Sequence, residues 1–175
     1  QSLESITIDP SNPNYKTVDG ILYDKNMETL MQFPGGHPAT SFTIPSTVKT
    51  IDINALSSLT KLESLTIPDS VTTINDGACT CSPYHVTLLK IVFGNGITET
   101  GAKPFISHHF FGKDGKELEQ TAGNLKGHTF TGEEASHMVI DDGKSGGDFP
   151  VWAIAVIAIA VLAAIAGFVF WKRSR

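Results

Sequence analysis

The chain repeats one short pattern of apolar and polar positions. The segment LESLTIPDSVTTI, which begins at Leu62, nearly duplicates the earlier segment TSFTIPSTVKTI. Within S-L-T-I, apolar side chains alternate with hydroxyl side chains, and a period of two is typical of a β-strand with one buried face. Leu65 and Ile67 are therefore predicted to point inward, and Ser64 and Thr66 to point outward.

Aligning the chain on itself gives four such units, which begin 36, 23 and 26 residues apart. The last two separations lie within the range of about 20 to 29 residues that is typical of leucine-rich repeats. Each unit has the L-x-x-L-x-L frame, although the pattern weakens towards the C-terminus. The frame positions are Leu3, Ile6 and Ile8; Ala39, Phe42 and Ile44; Leu62, Leu65 and Ile67; and Leu88, Ile91 and Phe93.

A strand of this length has an apolar face too small to be buried alone, so stacked copies must cover one another. We therefore predict a β-rich leucine-rich-repeat solenoid over residues 1–105. Its outward strand positions form two columns, which are the candidate binding residues. The proposed contacts are Ser41, Thr43, Ser64, Thr66 and Lys90, and Ser5, Thr7 and Val92 occupy equivalent positions.

The first unit is longer than the others because it carries an insertion at about residues 14–36. This insertion has two apolar runs, residues 18–23 and 30–33, around the polar sequence D-K-N, and it ends at Pro-Gly-Gly. Apolar runs separated by a polar turn predict an inserted β-hairpin.

The segments LESLTIPDSVTTINDGAC and NPNYKTVDGILYDKNMETLMQFPGG together resemble the BspA-like, or Treponema-type, leucine-rich repeats of bacterial, protist and archaeal surface proteins. The resemblance covers about residues 1–105 and implies a solenoid at a cell surface that takes part in adhesion or interaction. The chain departs from the family at two kinds of position. Leu56 and Cys79 replace the usual Phe, and the position that usually has Asn or Cys holds Ser11, Thr47, Ser70 and Gly96.

Residues 106–140 break the repeat and predict a small C-terminal β module that closes the exposed end of the stack. Strands are expected at about residues 106–111 and 128–131, with a G-K-D-G turn between them. Residues 141–148 are polar and rich in Gly, which predicts a flexible linker.

No charged residue occurs between Phe149 and Trp171. A helix of this length spans about 34 Å, against about 30 Å of membrane hydrocarbon, and it is apolar on every side, unlike a buried core helix. We predict one transmembrane α-helix at residues 149–171. The basic tail 172–175 follows it, so the positive-inside rule places the tail in the cytoplasm and the repeats outside a plasma membrane.

Two further interpretations concern the ends of the chain. It begins within a repeat and without an apolar signal stretch, so we interpret it as a mature or truncated product. A polar spacer, an apolar stretch and a basic tail also describe sorting signals that are exchanged for a covalent anchor, but no L-P-x-T-G motif is present. A retained helix is the favoured interpretation.

Charge limits the partners of the outer part. The chain has 13 basic and 18 acidic residues, and three of the basic ones follow the predicted span. The part before the span therefore carries a net charge of −8, which argues against a nucleic-acid partner.

The reactive side chains do not form a recognisable site. Cys79 and Cys81 lie too close in sequence for an unstrained disulfide and lack the further ligands of a zinc site, so they are predicted to be free thiols, with Cys79 in the core. His108 and His109 are adjacent on a predicted strand and should face opposite ways. We expect no enzyme activity, no metal site and no cofactor.

The favoured hypothesis is a membrane-anchored solenoid that binds a protein or glycan on another surface. The alternative is a structural spacer or envelope component without a specific ligand. A signalling receptor would need a partner in the membrane, because only four residues follow the predicted span.

Overall fold

The computed structural model of the protein describes residues 3–80, 87–132 and 138–141. The described residues contain fifteen β-strands and one short α-helix, and they lie in one compact unit. In chain order the elements are β1 (Tyr15–Val18), β2 (Ile21–Asp24), β3 (Thr29–Gln32), β4 (Ser41–Thr43), β5 (Thr50–Ile51), β6 (Ser64–Ile67), β7 (Thr73–Ile74), β8 (Cys79–Thr80), β9 (Lys90–Phe93), β10 (Glu99–Thr100), β11 (Phe105–Ile106), β12 (Phe110–Phe111), β13 (Glu117–Leu118), α1 (Ala122–Leu125), β14 (Thr129–Thr131) and β15 (Met138–Asp141).

Each central coil of the chain contributes one strand to each of three sheets. The repeat sheet has the strand order β13-β12-β15-β14-β9-β6-β4, the hairpin sheet has the order β1-β2-β3-β5-β7-β10, and the short sheet consists of β8 and β11. Equivalent strands of successive coils pair in parallel. This arrangement confirms the predicted solenoid of stacked repeats.

The interior columns follow the apolar frame of the sequence. Ile67 pairs directly with Phe93, and the N–H of Ile44 extends the ladder between β4 and β6 by donating to the carbonyl of Thr66. Ile44, Ile67 and Phe93 are 1%, 1% and 2% exposed, so they form one buried column, as predicted. Neighbouring coils therefore cover each other's apolar faces, and burial of these faces is the main stabilising term.

The insertion contains the predicted hairpin, formed by the antiparallel strands β2 and β3, and one further strand, β1, precedes it. The apolar run at residues 18–23 is split by a tight turn at Asp19 and Gly20, whose φ angles are 51° and 78°. Positive φ at both central residues is the geometry of a type I′ hairpin turn, which favours the sequence D-G. Strands β1, β2 and β3 therefore form an antiparallel meander, and β3 then pairs in parallel with β5 of the first full coil.

The first predicted unit does not form a strand. The N–H of Ile6 donates to the carbonyl of Gly20, and the carbonyl of Leu3 accepts from the N–H of Gly36. The insertion therefore occupies backbone groups that a strand beside β4 would use. Leu3 is 56% exposed, and Ser5 and Thr7 do not extend the outward columns.

The C-terminal module continues the repeat sheet from its last repeat strand, β9. Strand β14 pairs antiparallel with β9, β15 pairs with β14, and β12 and β13 follow. The single strand predicted at residues 106–111 is wrong, because β11 joins the short sheet whereas β12 joins the repeat sheet. We call residues 105–132 and 138–141 the cap.

The last coil approaches the preceding one unusually closely. A Cβ atom on Gly96 would overlap the carbonyl oxygen of Asp69, so this position requires glycine. The Asp69 carboxylate accepts a hydrogen bond from the N–H of Asn95 at 2.7 Å, and the Asp76 carboxylate accepts one from the N–H of Lys103 at 2.7 Å. Hydrogen bonds between the turns thus hold successive coils together in addition to the pairing of their strands.

Within residues 3–80, 87–132 and 138–141, no helix has both the length and the apolar character needed to cross a membrane. Asp141, the first residue of the predicted linker, is the last residue of β15. The rest of that linker and the predicted span at residues 149–171 lie outside this part of the chain.

Candidate interaction face

Two columns of outward side chains cross the repeat sheet. Ser41 of β4 lies opposite Ser64 of β6, which in turn lies opposite Lys90 of β9. The second column begins at Thr43 and Thr66, in the same register. All five predicted binding residues therefore share one face of one sheet, because residues two apart in a strand point to the same side.

The degree of exposure differs along these columns. The side chains of Ser41, Thr43 and Lys90 are exposed, whereas Ser64 and Thr66, which lie on the central strand β6, are half-buried. Val92 continues the second column and is also half-buried. Each hydroxyl group of these columns can both donate and accept hydrogen bonds.

The cap extends both columns beyond the repeats. Thr131 of β14 lies opposite Lys90, and Thr129 lies opposite Val92. Strand β15 then places Val139 beside Thr131 and Asp141 beside Thr129. Phe111 of β12 follows Val139, and Glu117 of β13 follows Phe111.

We call these two columns the outer face of the repeat sheet. Its members are Ser41, Thr43, Ser64, Thr66, Lys90, Val92, Thr129, Thr131, Val139, Asp141, Phe111 and Glu117. With neighbouring strands about 4.8 Å apart, the seven strands give it a length of about 29 Å.

Sequence reasoning missed the cap half of this face. One local signal was present, since T-F-T at residues 129–131 repeats the pattern S-F-T at residues 41–43. The antiparallel pairing of β14 with β9 could not be inferred from that signal, because 35 residues separate the two strands in sequence and no local pattern specifies that they pair.

The hairpin sheet carries a different outward column. Thr29, Thr50, Thr73 and Glu99 lie in register across β3, β5, β7 and β10. Lys49 forms an ion pair with Glu28 beside this column, and both side chains are largely exposed. A matched set of threonines thus exists on a second sheet of the same solenoid.

The two adjacent histidines face opposite sides, as predicted. His108 is 2% exposed, whereas His109 is exposed and its Nδ1 atom lies 2.6 Å from the Glu117 carboxylate. Among the described residues, no group of three or more His, Cys, Asp or Glu side chains is arranged to hold a metal ion.

Cys79 is fully buried in β8, which confirms its assignment to the core. Cys81 lies outside the described residues, so the thiol state of the pair stays a prediction. The outer face itself offers hydroxyls, one ammonium group, two carboxylates and a few half-buried apolar side chains.

Comparison with known proteins identifies the repeat. Residues 31–110 match the family described as BspA type leucine rich repeat region, in six copies. No curated protein matches the chain.

Three solved structures are similar to the chain to different degrees. A leucine-rich repeat protein from Eubacterium ventriosum is 36% identical with a TM-score of 0.52, and the match covers 56% of this chain and 26% of that one. The pneumococcal vaccine antigen PcpA is 16% identical with a TM-score of 0.47, covering 58% and 30% of the two chains. A leucine rich cell surface protein from Faecalibacterium prausnitzii is 21% identical with a TM-score of 0.33, covering 52% and 22%. This chain therefore spans about a quarter of the length of the Eubacterium protein.

Proposed function

We propose that this chain is a cell-surface binding protein, because residues 31–110 match the BspA type leucine rich repeat region. Its outer face of the repeat sheet contacts a protein or glycan on another surface, and the binding is not coupled to catalysis. The supporting observation is the register of β4, β6 and β9, which aligns the five polar candidates on one face.

The dimensions of the outer face favour an extended partner. A strip about 29 Å long and two columns wide is smaller than a standard protein interface of about 800 Å² per partner. A glycan chain or an extended protein segment lying across the strands would match this shape. Hydroxyl groups and Lys90 would supply the hydrogen bonds.

Anchoring is a second part of the proposal. The apolar segment 149–171 would cross the plasma membrane once, with residues 172–175 in the cytoplasm and the solenoid outside. The net charge of −8 before this segment keeps the solenoid from lying on an anionic lipid surface. The outer face would then be free to meet another cell or matrix.

The test removes the polar groups of the repeat columns together. Thr43, Ser64, Thr66 and Lys90 are replaced by Ala, and attachment to neighbouring cells, matrix proteins and glycan arrays is measured. Four hydrogen-bonding groups worth about 0.5–1 kcal/mol each predict a loss of about 2 kcal/mol or more, which is roughly 30-fold in affinity.

The matched control replaces Thr29, Thr50 and Thr73 by Ala on the hairpin sheet. This variant removes threonines of the same kind in the same type of ladder, and it should attach normally. Normal attachment of the four-residue variant, with circular dichroism showing an intact fold, would refute the outer face as the contact surface.

One observation favours a structural spacer as the second candidate. The repeat half of the outer face carries small hydroxyl side chains, one Lys and no aromatic residue, whereas strong protein contacts are enriched in Trp, Tyr and Arg. A spacer predicts that the chain captures no specific partner from neighbouring cell surfaces. Removing one coil would then change only the distance that the protein extends from the cell surface.

A further inference from the structure

A buried histidine lies where the cap meets the last coil. The ring of His108 lies 6.2 Å from that of Phe110 and nearly parallel to it, with an interplanar angle of 15°, and 5.9 Å from the ring of Phe105. Phe93 of β9 packs edge-on against Phe105, Phe110 and Phe130 at 5.5–5.9 Å. This aromatic cluster joins the repeat coil to the cap.

The imidazole of His108 is held in its neutral form. Neither ring nitrogen has a hydrogen-bond partner within the described residues, and the side chain is 2% exposed. Burial lowers the pKa of His108 from 6.5 to about 4. Backbone groups of Leu88 and Ile106 near the ring oppose this shift without making a hydrogen bond to it.

The described surroundings offer no negative charge to a protonated ring. His109 on the same segment lowers the pKa of His108 further, and its own partner is Glu117 on the outer face. On the short sheet, the titratable group is Cys79, which lies opposite Phe105. Gln120 is uncharged, and its side-chain amide donates a hydrogen bond of 2.9 Å to the backbone carbonyl of His108.

We propose that the cap is an acid-sensitive closure, in which protonation of His108 separates β14 from β9 and divides the outer face of the repeat sheet. An imidazolium ion inside the aromatic cluster must gain water, and movement of the cap away from Phe93 would admit it. Opening would remove Thr129 and Thr131 from their places beside Val92 and Lys90. The effect on binding rests on the proposed function, whereas the opening itself does not.

The sign and the pH window follow from the two protonation states. Because the pKa of His108 is lower in the closed state than in the open state, closure is complete above about pH 6.5 and weakens as the pH falls towards about 4. At most one proton is taken up on opening, so each unit by which the pH falls within this window raises the ratio of open to closed molecules by at most about tenfold.

Amide hydrogen exchange of the full chain measures the opening directly. The N–H of Phe93 donates to the carbonyl of His128, and the N–H of Gly132 donates to the carbonyl of Leu89, so both amides report the pairing of β9 with β14. Between pH 6.5 and pH 4.5 we expect their protection factors, corrected for intrinsic exchange, to fall about 40-fold. The amide of Ile44, which bonds to Thr66 at the far end of the sheet, should keep its protection.

Two variants identify the responsible group. His108→Phe replaces the ring with one that does not titrate and should abolish the acid-induced loss, and His108→Leu serves the same purpose if the Phe variant does not fold. His109→Gln, the matched control at an exposed neighbour, should behave like the wild type. Equal loss of protection at Ile44, or an acid-induced loss that persists without His108, would overturn the closure.

Attachment measured at both pH values separates this inference from the proposed function. A fall in attachment that tracks the loss of Phe93 and Gly132 protection supports control of the outer face by the cap. Unchanged attachment with an opened cap would overturn that control. It would leave the proposed function standing, because that is tested at neutral pH by the four-residue variant.

Discussion

Leu65 lies at the centre of the repeat sheet and provides the sharpest test of the stacked-coil core. Its neighbours in register are Phe42 on one side and Ile91 on the other, and its side chain is 0% exposed. Replacing it with Ala removes apolar burial and leaves a cavity between two coils that are fixed by their own backbone ladders.

The expected loss of unfolding free energy is about 3–5 kcal/mol, the range found when a buried Leu becomes Ala. The upper part of this range applies here, because hydrogen-bonded strands on both sides limit collapse into the cavity. A domain of this size has a total stability of about 5–15 kcal/mol, so the variant should fold at low temperature and unfold early.

Urea unfolding followed by circular dichroism measures the effect. With a slope of about 1–3 kcal/mol per molar urea, the midpoint should fall by more than about 1 M. Thr66→Ala, at the next residue of the same strand but on its outward face, should cost less than about 1 kcal/mol. Equal losses for the two variants, or a larger loss for Thr66→Ala, would refute the assigned inward and outward faces.

Three other expectations can be checked with similar means. Gly96→Ala should destabilise the chain by about 2 kcal/mol or more, because its Cβ would overlap the Asp69 carbonyl, whereas Gly123→Ala, which meets nothing within 4 Å, should be nearly neutral in the same unfolding assay. Asp76→Ala should lower stability by about 1 kcal/mol through loss of its bond to the Lys103 amide, and Asp76→Asn should recover part of it. Protease applied to intact cells should remove the solenoid and leave a membrane-bound fragment containing residues 149–175, and recovery of a mature chain without that segment would contradict the retained anchor.

The repeats were predictable because their core positions are periodic. Leu65, Ile67 and their equivalents occupy the same frame in successive units, and a strand with period two can bury only one of its faces. Register and orientation follow from that constraint, and for this reason the columns Ser41–Ser64–Lys90 and Thr43–Thr66 were found from the sequence.

The insertion and the cap were less predictable because their pairings are decided by turns and by distant segments. The D-G turn at Asp19 and Gly20 divides residues 18–23 between two strands, and this dipeptide is itself a hairpin signal. The pairing of β15 with β12 brings residues 138–139 beside residues 110–111, and no local pattern encodes such a contact. The alternating pattern around Ile6 does not form a strand, because the N–H of Ile6 donates to the carbonyl of Gly20 in the insertion.

Methyl NOE spectroscopy of the unmodified protein tests the common register of the coils most directly. The methyl of Thr66 should show contacts to the methyls of Thr43 and Val92, since each pair lies on neighbouring strands about 4.8 Å apart. In the interior, Ile67 should contact both Ile44 and the ring of Phe93. Contacts from the Thr66 methyl to the side chains of Phe42 and Ile91, in place of Thr43 and Val92, would contradict the stack and the outer face built on it.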